Sequence, residues 1–174
     1  MAPPTPASRA EVESEQALAR GEHLLAMIDA LDHTDLQGPA ADEADRRLKD
    51  FASQARFQGS GITDQRRLLR LMRRDDPAIY PGAYVTCVSD PAKALCRRGE
   101  TAGQHPDLNA CRPLDCRNVA LTANNTTAWQ AEIDNIGRRL QSRPPLPPLL
   151  HHQMSDRLDE LTKFLARRHE RRTP

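Results

Sequence analysis

Aromatic side chains are nearly missing from this 174-residue chain, which has one Trp, two Tyr and three Phe, 3% of the total. A core without large rings has to be filled by Leu, Ile, Val and Ala. With hydrophobic residues at only 38%, the natural outcome is a thin core built from helices. Long apolar runs are missing too. No stretch approaches the roughly 18–20 residues a membrane-spanning helix needs, because Arg, Asp and Glu break every candidate. The opening MAPPTPASRAEVESEQ has no apolar segment of the kind that marks a secretory signal. The expected compartment is therefore the cytoplasm, where thiols stay reduced and disulfides rarely persist.

Catalytic motifs are also scarce. The GSG at 59–61 lacks the Lys-Ser/Thr that completes a phosphate loop, and neither HExxH nor a nucleophile elbow occurs. Asp75 and Asp76 are adjacent and flanked by arginines, which reads as a solvated turn rather than an acid/base pair. The expectation is a non-enzyme with no small-molecule substrate and no membrane partner.

What is present is charge, unevenly distributed. A formal net charge of +1 hides eleven acidic and five basic residues within 1–50, against thirteen acidic and twenty basic afterwards. Such polarity suits a polyanionic partner at one end, or merely decorates solvated helix faces.

Residues 1–7 (MAPPTPA) read as a disordered leader, and 8–80 as a helical segment. From Ser8, a candidate N-cap with Glu11 as capping-box partner, Leu18, Leu24, Leu25, Ile28 and Leu31 fall near one face. A second helix from about Pro39 buries Ala44, Leu48, Phe51 and Ala55, giving an antiparallel pair with the first. Thr63 is the expected N-cap of a third, RRLLRLMRR, with Leu68, Leu69 and Met72 inward. Its Arg66, Arg67, Arg70, Arg73 and Arg74 suit phosphate contacts, since guanidinium binds phosphate bidentately. Asp64, Asp75 and Asp76 offer them ordinary salt-bridge partners instead, and no interleaved aromatics supply base stacking.

Toward the C-terminus, Trp129, Ile133, Ile136 and Leu140 form a single stripe on a helix starting at Thr122 or Asn125. RPPLPPLL must interrupt it. A last helix from about Pro148 aligns Leu150, Met154, Leu158, Leu161 and Leu165, so 122–174 reads as an antiparallel hairpin with a basic tail. Lys163, Arg167, Arg168, Arg171 and Arg172 offset the negative end of the helix dipole or touch nucleic acid. The adjacent His151 and His152 point to different helix faces and make a poor metal pair.

All four cysteines fall within thirty residues, at 87, 96, 111 and 116, with spacings of eight, fourteen and four. Zinc favours thiolates in a tetrahedral set, and CRPLDC is a tight knuckle. Cys87 and Cys96 are wider apart, which implies an intervening turn, DPAKAL, with Asp90 as cap and Pro91 at the first helical position. Residues 81–118 hold few large apolar side chains. Burial alone would hardly order them, whereas a structural Zn2+ supplies on the order of 10 kcal/mol. Three readings stay open: a four-thiolate zinc site, three cysteines with His105, or thiols that are reduced or paired as disulfides. Four thiolates leave no position for water, so such a metal is structural. Arg112 and Arg117 flank the knuckle and are candidate polyanion contacts.

YVTCVSDPAKALC followed by PDLNACRPLDCRNVALT resembles the cysteine-bearing module near the C-terminus of some actinobacterial tyrosine recombinases (phage-type integrases) and related mobile-element proteins. The likeness covers roughly residues 80–140. It implies a DNA-associated setting and a recombinase or other protein partner. The recombinase nucleophile follows a His-x-x-Arg motif, whereas Tyr80 and Tyr84, the only tyrosines, precede the HERR at 169–172. The resemblance therefore implies an accessory portion without the catalytic constellation.

The combined expectation is an all-α protein of about five helices, with a central irregular zinc-stapled loop module at 81–121. Its expected role is a non-catalytic DNA-binding or recombinase-associated accessory module. The competing role is a protein-interaction or oligomerisation module. The expected ligands are Cys87, Cys96, Cys111 and Cys116. The nucleic-acid candidates are Arg66, Arg70, Arg73, Arg112, Arg117, Arg167, Arg168 and Arg171.

Overall fold

The structure, a computed structural model, describes residues 6–31, 36–57, 64–96, 106–107 and 110–167. Its elements run α1 (Pro6–Leu31), α2 (Ala41–Phe57), α3 (Gln65–Arg74), β1 (Ile79–Pro81), β2 (Thr86–Val88), β3 (Val119–Ala120), α4 (Ala123–Leu140) and α5 (Pro148–Arg167). The five helices are those the periodicity predicts. The all-α expectation is corrected by a three-stranded antiparallel sheet in the order β1-β2-β3. Ile79 pairs with Val88, Tyr80 with Cys87, Thr86 with Ala120 and Cys87 with Val119. Strands of two or three residues are too short to show the alternation over four to eight residues by which a strand is read from sequence.

The sheet is the middle layer of the molecule. On one side Ile79, Val88 and Ala120 join a core from the first three helices, including Leu24, Ala44, Leu48, Phe51, Leu68, Leu71 and Met72. On the other, Val119, Leu121 and Cys116 join Trp129, Ile136, Leu161, Phe164 and Leu165 of the last two helices. Val119 and Leu121 alternate with Ala120 between the two cores, as the two-residue period of a strand requires. The segment before α2 closes the sheet edge. Gln37 N–H donates to the Leu121 carbonyl (3.0 Å), Leu121 N–H to the Gln37 carbonyl (2.8 Å) and Ala40 N–H to the Val119 carbonyl (3.0 Å). Gly38 sits there at φ 98°, and a Cβ on it would lie 3.0 Å from the Val119 carbonyl oxygen.

Helix boundaries refine the sequence reading. α1 begins at Pro6, a residue pre-organised for the first helical position, so Ser8 lies inside the helix rather than capping it. Pro6 and Ala7, placed in the leader by sequence, are helical; residues 1–5 fall outside the described residues. Asp64, not Thr63, caps α3: its carboxylate accepts from the Arg66 N–H (2.9 Å). Thr63 itself lies outside the described residues. In α3 the inward residues are Leu68, Leu71 and Met72, with Leu69 only half-buried. In α5, Phe164 is buried although the stripe did not include it, whereas Leu150 is exposed. The hairpin is antiparallel, because Trp129 near the start of α4 meets Phe164 near the end of α5, ring centroids 5.8 Å apart.

Of the two starts that the sequence offers for α4, the structure uses Thr122 and places Asn125 inside the helix. Thr122 is the N-cap, and Asn125 at the third helical position completes a capping box with it. The buried Asn125 amide does more. Its Nδ2 donates to the carbonyls of Gly82 (2.7 Å) and Ala83 (3.0 Å), while Oδ1 accepts from the Thr122 N–H (3.1 Å). The β1–β2 turn is thereby tied to the start of α4. Asn125→Leu should lower unfolding free energy by about 1–2 kcal/mol in a urea titration, because it removes the capping-box bond and the tie to the exposed β1–β2 turn. Asn125→Asp, which sets a buried carboxylate oxygen against the same two carbonyls, should cost at least as much at neutral pH.

Ala78 adopts φ 52°, the left-handed region, on the way from α3 into β1. Asp76 holds it there by accepting its N–H (2.8 Å), and its carbonyl accepts from Ser89 N–H (2.8 Å). Side chains with a Cβ are strained in this region by about 1–2 kcal/mol, offset in part by the greater freedom of unfolded glycine. Ala78→Gly should therefore raise stability by about 0.5–1 kcal/mol, visible as a higher denaturation midpoint. A lower midpoint would contradict the assignment of strain.

Candidate functional site

The four cysteines come from three chain segments. Cys87 is the central residue of β2, Cys96 ends the turn that begins at Asp90, and Cys111 and Cys116 bound the loop leading into β3. Asp90 caps the first turn as the sequence suggests, although the segment after Pro91 forms hydrogen-bonded turns and not a helix. The Asp90 carboxylate accepts from Ala92 N–H (3.0 Å) and its carbonyl from Lys93 N–H (3.1 Å). Lys93, whose ammonium lies 2.9 Å from the carboxylate, and then the Ala92 N–H hold Asp90 below the usual carboxylate range.

A buried asparagine joins the two cysteine-bearing regions. Asn118 Nδ2 donates to the Asp90 carbonyl (2.9 Å), and its own carbonyl accepts from Val88 N–H (2.7 Å). Arg47 of α2 adds a strut from the other side, donating to the carbonyls of Pro77 (3.2 Å) and Ser89 (3.1 Å) while pairing with Glu43 (2.7 Å). Arg20 of α1 grips Asp76 with both terminal nitrogens, Nη1 at 2.9 Å, and stacks over the Tyr80 ring at 4.4 Å. Sequence reasoning singled out none of Asn118, Arg47 and Arg20. Single polar residues, each tied to a chain segment far away in sequence, leave no periodic trace.

All four cysteines line one cavity of about 680 Å³, and all four are free thiols. Burial, followed by the neighbouring Cys116, Cys111 and Cys96, pushes the Cys87 thiol up to about 12. Burial, then Cys116 and Cys96, raises Cys111 as well. These mutual effects require the sulfurs to be close enough to sense one another's charge. Among the described residues, however, no three His, Cys, Asp or Glu side chains stand in a group that could hold a metal ion. His105 lies outside the described residues.

The arginines separate into two sets. Arg66, Arg70 and Arg73 are exposed on α3. Arg73 donates to the Ser14 hydroxyl (2.9 Å), and Arg70 Nε to the Arg66 carbonyl (3.3 Å). Arg67 and Arg74 of the same helix pair with Asp64 and Asp75. Arg112 and Arg167 line a common cleft, and Arg117 and Arg167 line an adjoining one. Arg168 and Arg171, with the HERR at 169–172, lie outside the described residues. His151 and His152 are both exposed, and His152 Nε2 lies 3.5 Å from the Asp156 carboxylate.

No helix among the described residues is long and apolar enough to cross a membrane. Comparison with protein-family models, curated proteins and solved structures gives no match.

Proposed function

We propose that the chain is a non-catalytic helical module in which Cys87, Cys96, Cys111 and Cys116 hold a structural Zn2+, and whose basic surface engages DNA or a recombinase partner. The carrying observation is that every cysteine of the chain, drawn from three segments, lines a single cavity. An all-sulfur donor set suits Zn2+ better than harder cations. When bound, the ion supplies a covalent-strength crosslink and no reactive position. In a reducing cytoplasm the thiols would remain available for it. The chain's own residues prepare the site: Asn118 and Asp90 fix the two cysteine segments to each other, and Arg47 fixes them to α2. The resemblance of the two cysteine phrases to the integrase-associated module supports the mobile-element setting.

Protein prepared from metal-replete cells should carry close to one Zn2+ per chain by elemental analysis. A ratio near zero, with folding indifferent to chelator, would remove the metal from this reading. For the partner, a short DNA duplex should bind at low salt, and affinity should fall steeply as salt rises, because phosphate neutralisation releases counterions. An absence of binding at low salt would favour a second reading, a protein-interaction module. The exposed Leu149 and Leu150 at the start of α5, 70% and 40% accessible, are the observation on its side.

A further inference from the structure

We infer that the cleft between the Cys111–Cys116 loop and the last turns of α5 receives the phosphodiester backbone of a nucleic-acid duplex, without reading its bases. This rests on the polyanion part of the proposal above and names its contact surface. Arg112, Arg157, Lys163 and Arg167 line a cleft of about 730 Å³. An adjoining cleft of about 230 Å³ shares Arg167 and adds Arg117. Two acids, Asp115 and Glu160, line the larger cleft, but each is engaged, by Arg112 at 3.6 Å and by Arg157 at 3.2 Å. Among the described residues Lys163, Arg167 and Arg117 have no ion-pair partner, so positive charge is left over.

Compensation of the helix dipole explains Lys163 and Arg167, which sit near the end of α5. It does not explain Arg117 or Arg112, which reach the same place from a different segment. The two clefts share Arg167 and form a continuous run of cations, which matches a linear array of phosphates better than one isolated anion. Among the described residues the one aromatic lining either cleft is Phe164, which is buried against Trp129. With no exposed ring for a base to stack on, the surface suits duplex backbone rather than single strand. It also lacks the exposed aromatic anchor that dominates protein-binding hot spots, which argues against an acidic protein as occupant.

The test measures binding of the full chain to two labelled DNA duplexes of unrelated sequence, a single strand and polyglutamate over a range of salt. The variants are Lys163→Gln/Arg167→Gln and, for comparison, Arg66→Gln/Arg70→Gln. The expected result is equal affinity for the two duplexes. The slope of log affinity against log salt should also become shallower by about two in the Lys163/Arg167 variant, at roughly 0.9 per phosphate contact. All four substituted positions are exposed, so thermal melts should coincide and exclude misfolding. An unchanged slope in the Lys163/Arg167 variant, with a shallower one in the Arg66/Arg70 variant, would overturn the cleft while leaving the polyanion reading standing. Tighter binding to the single strand would overturn the duplex assignment. Binding to polyglutamate with none to either duplex at low salt would overturn both.

Discussion

Cys111→Ser and Cys116→Ser should each destabilise the protein by several kcal/mol, and the double variant should be little worse than either one. The sizes decide between the readings of the cysteine cluster. If the thiols are only packed, the two sites should differ. Cys116 is buried in the core beneath α4 and α5, and its replacement by a hydroxyl would cost about 1–3 kcal/mol. Cys111 is half-exposed, and as a simple surface thiol it would change stability by no more than about 0.5 kcal/mol. If both hold one Zn2+, either substitution forfeits much of a shared binding energy on the order of 10 kcal/mol. Losses through a shared partner do not add. Urea titrations of the two single variants and the double variant, with zinc measured on the same samples, make the comparison. A Cys111→Ser effect below about 0.5 kcal/mol would end the metal assignment for that residue.

Trp129→Ala should cost about 3–5 kcal/mol, the range for deleting a buried ring, whereas Trp129→Phe should cost far less. The indole is the centre of the second core, 5% exposed, with Tyr84 at 4.7 Å between ring centroids and Phe164 at 5.8 Å. Its Nε1–H is buried without a hydrogen-bond partner among the described residues. Phenylalanine therefore loses some volume and no hydrogen bond, and it sheds the penalty of burying an unpaired donor. Equal losses for the two substitutions, read from denaturant midpoints, would mean that the indole nitrogen has a partner after all.

Repeated contacts were readable in the sequence; single ones were not. The apolar positions of α2 and the stripe from Trp129 to Leu140 recur at helical spacing; the structure buries the former with Trp129 and Ile136, and packs the half-buried Ile133 and Leu140 against the same core. The strands escaped because each spans two or three residues, fewer than one period of evidence on either face. Asn118, and the long-range bonds of Asn125, escaped for a different reason. Asparagine favours turns and caps in general, and nothing local distinguishes one that spans 28 or 43 residues to bond a distant carbonyl. Cysteine spacing did announce a cluster, since four rare side chains within thirty residues require a reason. For the arginines, composition gave a sum of charge without a direction. Only the folded chain brings Arg112 and Arg117 beside α5 and leaves Arg66 and Arg70 on α3.

The short third strand has a consequence for how the molecule comes apart. Val119 and Leu121 belong to one apolar core and Ala120 to the other, so loss of this strand exposes both cores at once. A break between the first three helices and the last two would also sever the paired bonds of Gln37 and Leu121. The halves therefore share a keystone of three residues, the two of β3 and the adjoining Leu121. Heat or denaturant should find one cooperative transition, with any ligand that tightens the cysteine loops raising the melting of the distant α1–α3 core as much as that of its own neighbourhood.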